Sequence, residues 1–259
     1  MKALITGASS GIGRDMALYL SEKGYDIIVV ARDQEKLVEV SMKIKTKVRI
    51  IDMDLSTESS CHRLYKLTKN ENIDILINNA GFGCHGNFYE TDLTNELEMI
   101  DLNIKAVHIL TKLYLNDFKK RNSGYIMNVA SLAAFSSGPL MATYYATKGY
   151  VLKLSEAIYE ELRRSKSKVH ISVLCPGPVD TNFNKVADVS FPTKGLTSEY
   201  VAKYAIDKMF KNKLVIIPGM SSRIIRHLDK FVPSKLMLKF IYNIQKRKNR
   251  WSVVISTFF

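Results

Sequence analysis

Short apolar runs alternate along the chain with longer segments in which apolar residues recur every three or four positions. The runs are rich in Ile and Val and unbroken by polar residues, which is typical of strands that a parallel sheet buries on both faces. This pattern predicts strands at Lys2–Ile5, Asp26–Ala31, Val48–Met53, Asp74–Ile77, Tyr125–Val129, Val169–Leu174 and Leu214–Ile217.

The longer segments predict helices at Ile12–Lys23, Gln34–Lys45, Glu58–Asn70, Leu93–Lys120, Ala142–Arg164 and Glu199–Phe210. Ser198 is the predicted N-cap of the last of them. Strands that alternate with helices predict one α/β domain of the Rossmann type, a doubly wound parallel sheet of about seven strands with helices on both faces. Residues 181–197 are predicted to form a long loop over a ligand crevice.

Composition narrows the class of protein. The chain has 259 residues, 46% hydrophobic and 24% charged, which excludes a disordered tail, a collagen-like fibre and a disulfide scaffold. Cys61, Cys84 and Cys175 are too few and too scattered for a disulfide framework, and no metal site is expected. No apolar run is long enough to cross a bilayer, and the first residues already predict a strand, so a cytoplasmic protein is expected.

A glycine-rich turn follows the first strand in the string TGASSGIG, Thr6 to Gly13. Gly7 allows a tight turn, Gly11 allows the backbone to approach a pyrophosphate, and Gly13 allows the helix to pack closely on the strand. The free N–H groups of the helix N-terminus favour phosphate binding, with Ser9, Ser10 and Ile12 completing the turn. The alternative is an ordinary glycine-rich turn, because the commoner dinucleotide fingerprint has another spacing.

The turn resembles the short-chain dehydrogenase/reductase family, which carries TGxxxGxG at this place. The resemblance extends from Met1 to about Gly219 and includes the string NNAG at 78–81. It implies a catalytic domain at 1–219, with a substrate loop at 181–197, and a basic helical extension at 220–259. The extension is similar to that of a bacterial DltE-like subgroup. The resemblance also implies that Asn79, Ala80 and Gly81 let the cofactor approach the sheet edge.

The end of the second strand carries the evidence on the choice of cofactor. An acidic residue there would bind the ribose hydroxyl of NAD, whereas an arginine accommodates the 2′-phosphate of NADP. This chain has Ala31 followed by Arg32, which favours NADP(H). The alternative is a solvated surface arginine next to Asp33, which would cap the following helix.

Further cofactor contacts are implied by the resemblance alone. Asp54 and Leu55 would lie against the adenine ring, although Asp54 could instead cap a helix. The segment after the sixth strand would line the nicotinamide, although its Pro and Gly could simply mark a loop. The residues concerned there are Pro176, Gly177, Val179 and Thr181.

Tyr144 and Lys148 are four residues apart on a predicted helix and therefore share one face. A free tyrosine has a pKa near 10, and a nearby cation lowers it towards the range useful for acid–base catalysis. Tyr145 is the competing candidate, but it projects about 100° away around the helix. Tyr144 is therefore the predicted acid.

The family resemblance implies that Ser131 hydrogen-bonds the substrate carbonyl and that Asn103 supports a water linking the lysine to solvent. Each also has a simpler interpretation, as a strand-end turn residue and as a polar helix position. Tyr144, Ser131 and Phe183 are the predicted substrate contacts. An apolar ketone, aldehyde or acyl group would suit the apolar residues expected near the pocket, which could also be lid packing: Phe135, Leu140, Phe183, Phe191 and Leu196.

The resulting hypothesis is an NADP(H)-dependent oxidoreductase that reduces a ketone or aldehyde, or oxidises the secondary alcohol, by hydride transfer. The alternative is a non-catalytic NADP-binding regulatory or membrane-surface protein with the same fold. The resemblance implies a homodimer or homotetramer formed through the long fourth and fifth helices.

The net charge of +13 is concentrated at the C-terminal end. Between Met220 and Arg250 nine basic residues accompany one acidic residue, Asp229, so this segment carries +8. An anionic partner is expected. Apolar residues at helical spacing suit an interfacial membrane helix, a helix over the substrate cleft, or, as the favoured interpretation, packing on the core or on a dimer mate. No nucleic-acid motif accompanies the charge, so no nucleic acid is expected as a partner.

Overall fold

The computed structural model describes residues 1–181, 183, 195–229 and 232–256 of the chain, with side chains up to 246 except at 225 and 227–229. Most of the predicted loop 181–197, including Phe191, therefore lies outside the described residues.

The predicted parallel sheet is confirmed. The strands are β1 Lys2–Thr6, β2 Asp26–Ala31, β3 Val48–Asp52, β4 Ile75–Asn78, β5 Gly124–Val129, β6 Val169–Leu174, β7 Val179–Asp180, β8 Leu196–Thr197 and β9 Val215–Ile216. Among the described residues, seven of them pair side by side, all parallel, in the order β3-β2-β1-β4-β5-β6-β9. A separate pair joins β7 to β8.

Helices cover both faces of the sheet, as the alternation predicts. They are α1 Gly11–Glu22, α2 Gln34–Ser41, α3 Glu58–Thr68, α4 Leu93–Ile100, α5 Val107–Arg121, α6 Ala142–Arg164, α7 Ser198–Met209, α8 Met220–Asp229 and α9 Ser234–Ser256. Successive strand residues point to opposite faces. Ile5 accordingly packs with apolar residues of α1, α2 and α7, whereas Leu4 packs with those of α3, α5 and α6.

The predicted helical stretch from Leu93 to Lys120 is confirmed, except that its middle is not α-helical. A π-helix at Asp101–Ala106 separates α4 from α5. Asn103 lies in this wider turn, fully buried, and its amide group hydrogen-bonds both backbone polar atoms of Phe82. Such π-segments occur often at functional sites, because they redirect a side chain without ending the helix.

The predicted N-cap of α7 is wrong. Thr197, not Ser198, accepts the capping hydrogen bond, from the backbone N–H of Tyr200 at 3.3 Å. Ser198 is the first helical residue, and its buried hydroxyl donates to the carboxylate of Asp15 on α1. Both residues can cap a helix, and the tertiary contact with α1 decides between them.

The C-terminal helices α8 and α9 pack against the body of the domain. Ser222 on α8 is 5% exposed, and Ile241 and Gln245 on α9 are 8% and 2% exposed. Within the described part of the chain, no helix is both long and apolar enough to span a bilayer.

A substitution at Gly124, at the start of β5, tests how closely this strand packs against α5, the helix that continues from the π-segment. The φ of Gly124 is +143°, and a Cβ there would lie 2.4 Å from Cδ2 of Phe118. We expect Gly124→Ala to lower the free energy of unfolding by about 2–4 kcal/mol, from overpacking and backbone strain together. The control is Gly24→Ala, with φ of +84° but no atom of the described residues within 4 Å of its Cβ, which should lose only about 1–2 kcal/mol. Urea unfolding measures both, and equal losses would contradict the packing argument.

Candidate active site

The carboxyl ends of the central strands form the site. The strand order reverses between β1 and β4, and in doubly wound sheets the ligand crevice opens at this point. The glycine turn follows β1, Asn79 follows β4, Ser131 follows β5 and Pro176 follows β6. The topology therefore brings the predicted cofactor and catalytic segments to one edge of the sheet.

The glycine turn and the NNAG segment are bonded to each other. The Asn79 side-chain amide donates to the carbonyl oxygens of Thr6 and Gly7, both at 3.0 Å. The hydroxyl of Thr6 accepts from the backbone N–H groups of Asn79 and Ala80. Gly7 has φ of +64°, and a Cβ there would lie 2.8 Å from Cα of Ala80, so glycine is required on both counts. A Cβ at Gly13 would lie 2.4 Å from the carbonyl oxygen of Gly7.

The N-terminus of α1 opens into the crevice. Its N-cap, Ser10, has an extended backbone and makes no side-chain capping bond. Ser9, Ser10, Gly11 and Ile12 are half-buried. A Cβ on Gly11 would lie 3.1 Å from Cγ2 of Thr181, which brings the segment after β6 beside the turn. The first N–H groups of the helix therefore meet no side-chain acceptor of their own cap, as an anion site requires.

Arg32 lies at the end of β2, and its side chain is 66% exposed. Its nearest acidic partner is Asp54, 3.6 Å away, and Asp54 also accepts from the backbone N–H of Ser56. Asp33 does cap α2, by accepting from the backbone N–H of Lys36 at 3.0 Å. Asp54 does not cap α3, because Thr57 holds that position. Leu55 is buried in the core.

Tyr144 and Lys148 lie on α6, 8% and 5% exposed. The Lys148 ammonium donates to the carbonyl of Val129 at the end of β5, at 3.0 Å. It lies 5.8 Å from the centroid of the Tyr144 ring. The two polar groups therefore share one side of the helix, as their spacing predicts, and both face the end of β5.

Burial sets the electrostatics of this pair. It lowers the pKa of Lys148 to about 8, because the ammonium loses its hydration. It raises the pKa of Tyr144, and a hydrogen bond with Ser131 opposes that rise. The lowered pKa that the sequence predicts for Tyr144 is therefore wrong for this geometry, in which the ammonium donates to Val129.

Ser131 lies between β5 and a short 3₁₀ helix, Leu132–Phe135. Its hydroxyl accepts from the backbone N–H of Ala133 at 3.2 Å and is bonded to Tyr144. The N–H of Leu132 donates to the carbonyl of Pro176, which ties this turn to the segment after β6. The serine is thus both a turn residue and a neighbour of the phenol.

Asn103 connects the π-segment to α6. Its side-chain amide donates to Oγ1 of Thr147 at 3.1 Å, and that hydroxyl donates to the carbonyl of Tyr144. A Cβ on Gly81 would lie 2.6 Å from Oδ1 of Asn103 and 3.4 Å from Nζ of Lys148. Because Gly81 has no side chain, Asn103 and Lys148 can both lie close to it. Thr147 is a site residue that sequence reasoning missed.

An apolar wall lies beside Tyr144. The ring of Phe183 is 5.5 Å from the Tyr144 ring, centroid to centroid. A Cβ on Gly83 would contact Phe183, Tyr144 and Met141 at once. Phe82 and Cys84 also pack into this cluster. Phe135 and Leu196, in contrast, pack into the interior of the domain.

The far end of this wall is formed by α9, which sequence reasoning did not connect to the site. The Gln245 side-chain amide donates to the hydroxyl of Tyr145 at 2.7 Å, and the backbone carbonyl oxygen of Gln245 lies 3.2 Å from Nε2 of His85. Tyr145 therefore directs its hydroxyl to α9 rather than to Lys148. The four-residue spacing of Ile241 and Gln245 is the signal that could have indicated a buried face with one polar member.

The helix α8 covers the segment after β6. A Cβ on Gly177 would lie 2.6 Å from the hydroxyl of Ser222, and the Arg226 guanidinium lies 4.8 Å from the Phe135 ring centroid. Val179 is buried at the start of the same loop. In the described residues, no three His, Cys, Asp or Glu side chains are placed to hold a metal ion.

Comparison with known proteins assigns the chain to a family. A family model described as short chain dehydrogenase matches residues 1–189. An uncharacterized oxidoreductase of Staphylococcus epidermidis is 31% identical over 188 residues, which cover 72% of this chain and 81% of that protein. A very-long-chain 3-oxoacyl-CoA reductase of Mycosarcoma maydis is 33% identical over 193 residues, which cover 71% of this chain and 55% of that protein.

Solved structures agree. A short-chain dehydrogenase from Sphingobium yanoikuyae in complex with NADPH superposes with a TM-score of 0.79 and 28% identity, covering 89% of this chain and 92% of that one. The glycine turn after β1 and the N-terminus of α1, which has no side-chain cap, fit a dinucleotide phosphate. The chain belongs to the short-chain dehydrogenase family, and it is an oxidoreductase that uses a nicotinamide dinucleotide.

Proposed function

We propose that the protein is an NADP(H)-dependent reductase of an apolar or acyl-like ketone or aldehyde, which also oxidises the corresponding secondary alcohol. The observation that carries this proposal is the convergence of Tyr144, Lys148 and Ser131 beside an apolar wall at the carboxyl edge of the sheet. An acid, a cation and a hydrogen-bonding hydroxyl around one point suit the polarisation of a carbonyl oxygen.

The chain's own residues would bind, orient and protonate. Ser131 would orient the substrate oxygen, and Tyr144 would donate its proton as negative charge develops there. Lys148 would hold the ribose hydroxyls. Asn103, bonded to Thr147 and close to Lys148, would maintain a path for proton resupply. The bound nicotinamide supplies the hydride.

The cofactor contacts extend from the turn to Arg32. The backbone N–H groups at Ser9–Ile12 would hold the pyrophosphate, and Arg32 would bind the 2′-phosphate. The exposed pair with Asp54 is loose at 3.6 Å, so it costs little to open. Asp54 and Leu55 would border the adenine, and Pro176, Gly177, Val179 and Thr181 would border the nicotinamide.

The substrate would lie along the wall of Phe183, Met141 and Tyr145. All three are large and apolar or aromatic, and they extend from Tyr144 towards Gln245. Such a surface suits an acyl chain or a bulky ketone. The similarity to a very-long-chain 3-oxoacyl-CoA reductase supports the acyl alternative.

We also propose an oligomeric state, a cellular location and a membrane contact. A homodimer or homotetramer would form through the outer faces of α5 and α6. A cytoplasmic location is supported by three free thiols, of which Cys61 and Cys175 are buried. Peripheral contact with an anionic membrane through 220–250 is supported by the +8 charge of that segment.

The function is tested by Tyr144→Phe. We expect turnover of apolar ketones, aldehydes or 3-oxoacyl thioesters to fall about 100- to 10,000-fold, because the proton donor is lost. NADPH binding, measured by fluorescence, should persist. The matched control is Tyr145→Phe, the adjacent tyrosine, whose hydroxyl accepts a hydrogen bond from Gln245 on α9. Wild-type turnover in Tyr144→Phe would remove this residue from the acid role.

Cofactor choice is tested by Arg32→Ala. The affinity for NADPH should fall about 10- to 100-fold through loss of a charge-assisted contact, with NADH affinity unchanged. Ala31→Asp should shift the preference towards NADH. Arg164→Ala, an exposed arginine at the end of α6, is the control and should change neither value. An equal effect of Arg32→Ala on both dinucleotides would contradict the 2′-phosphate role.

The burial of Lys148 predicts a pH dependence of stability in the absence of cofactor. Its pKa is about 8 in the folded protein and 10.5 unfolded, so between these values the unfolded chain binds the extra proton and stability rises with pH. Lys148→Met lacks this dependence. The free energy of unfolding of wild type, relative to that of Lys148→Met, should therefore rise by about 2–3 kcal/mol from pH 7 to pH 10. A difference independent of pH would mean that the ammonium is not desolvated.

A further inference from the structure

The helix α9 exposes a row of large apolar side chains beside the face that it buries. Leu236, Phe240 and Ile244 are 57%, 61% and 41% exposed, whereas Ile241 and Gln245 are buried. Residues four apart lie above one another on a helix, so the three exposed residues form one stripe. Isolated exposed apolar residues are ordinary, but a stripe along one helix indicates an interaction surface.

Basic residues adjoin this stripe on the outward side of the helix. Lys235, Lys239 and Lys246 are exposed, and the 100° rotation per residue groups them together, away from the buried face. The sequence has no acidic residue after Asp229. On the neighbouring helix α8, Met220 and Ile224 are 67% and 53% exposed. The outer surface of α9 is therefore apolar and positive at once.

We propose that this outer surface of α9, made of Leu236, Phe240, Ile244 and the three lysines, docks the enzyme onto a lipid bilayer that contains anionic lipid. The inference rests on the proposed function, since α9 also forms a wall of the substrate crevice. A bilayer surface matches both features, because acyl chains accept the apolar stripe while lipid phosphates attract the lysines, whose long stems let the ammonium reach the headgroups. A nucleic acid would use the lysines but leave the stripe in water.

The same helix connects the docking surface to the catalytic tyrosine. Gln245, one turn from Ile241, bonds to Tyr145, and the Tyr145 ring lies 6.2 Å from that of Tyr144, centroid to centroid. The crevice wall of Phe183 and Met141 lies in the same cluster. In a docked enzyme, α9 would therefore lie between the substrate wall and the membrane. The substrate class that follows is a long-chain acyl carbonyl compound dissolved in the bilayer.

Sedimentation with sucrose-loaded vesicles tests the docking. The full-length protein should bind vesicles of phosphatidylcholine with phosphatidylglycerol, and binding should weaken with phosphatidylcholine alone or at high salt. Changing Lys235, Lys239 and Lys246 together to Gln, or Leu236, Phe240 and Ile244 together to Ser, should each lower the partition coefficient at least about tenfold. Matched controls on the α2–α3 side should bind like wild type: Lys43, Lys66 and Lys69 to Gln, and Val38, Met42 and Leu67 to Ser.

Fluorescence locates the contact. Phe240→Trp in a Trp251→Phe background places the protein's one tryptophan on the stripe, and Met42→Trp in the same background places it on α2. Lipids brominated in the acyl chain should quench the first and leave the second unchanged, because only the first would enter the acyl region. Equal quenching at both positions, or at neither, would overturn the assignment of the surface.

NADPH binding, measured on every variant, separates the two proposals. Variants that bind NADPH like wild type but lose the vesicles support docking through α9. If all variants, including the stripe and lysine sets, bind vesicles equally, the docking surface is wrong while the reductase proposal stands. Vesicle binding by a protein that never binds NADPH would defeat the reductase proposal instead. Binding to duplex DNA or RNA in preference to anionic vesicles would also overturn the membrane assignment.

Discussion

The ammonium of Lys148 is held almost out of water, and the arrangement of the site depends on how the fold accommodates it. A buried cation without a partner is strongly destabilising, so its position must be fixed by hydrogen bonding. The carbonyl of Val129, which projects from the end of β5, provides that bond. Because Tyr144 lies one helical turn away on α6, the bond that positions the lysine also positions the phenol. The relative positions of Tyr144 and Lys148 thus follow from their four-residue spacing on α6 and from the bond of Lys148 to the end of β5.

The surrounding backbone is shaped around this pair. Gly81 has no Cβ, which allows Asn103 and Lys148 to approach each other, and the π-segment turns Asn103 inward while its helix continues. Thr147 connects the two elements by bonding to Asn103 and to the carbonyl of Tyr144. Gly81 and the π-segment both depart from regular structure, because the first lacks a side chain and the second replaces ideal α-helical turns. Together they hold the polar side chains of Asn103, Thr147 and Lys148 in one buried place, as a preorganised active site requires.

Much of this organisation follows from the sequence, because strands buried on both faces must be apolar throughout and amphipathic helices must show their period. The limits of α6 are predicted to the residue, and so is the shared face of Tyr144 and Lys148. The π-segment, the cap at Thr197 and the bond from Gln245 to Tyr145 depend on partners distant in the chain, which local patterns do not encode. The raised pKa of Tyr144 also escapes a local pattern, because it comes mainly from burial in the folded protein.

The most direct test is a crystal structure of the protein with NADPH. We expect the ribose hydroxyls of the nicotinamide half within hydrogen-bond distance of both Oη of Tyr144 and Nζ of Lys148, with the nicotinamide ring open towards Phe183. A dinucleotide bound with its nicotinamide away from Tyr144, or a Lys148 ammonium that still bonds only to the carbonyl of Val129, would contradict this geometry.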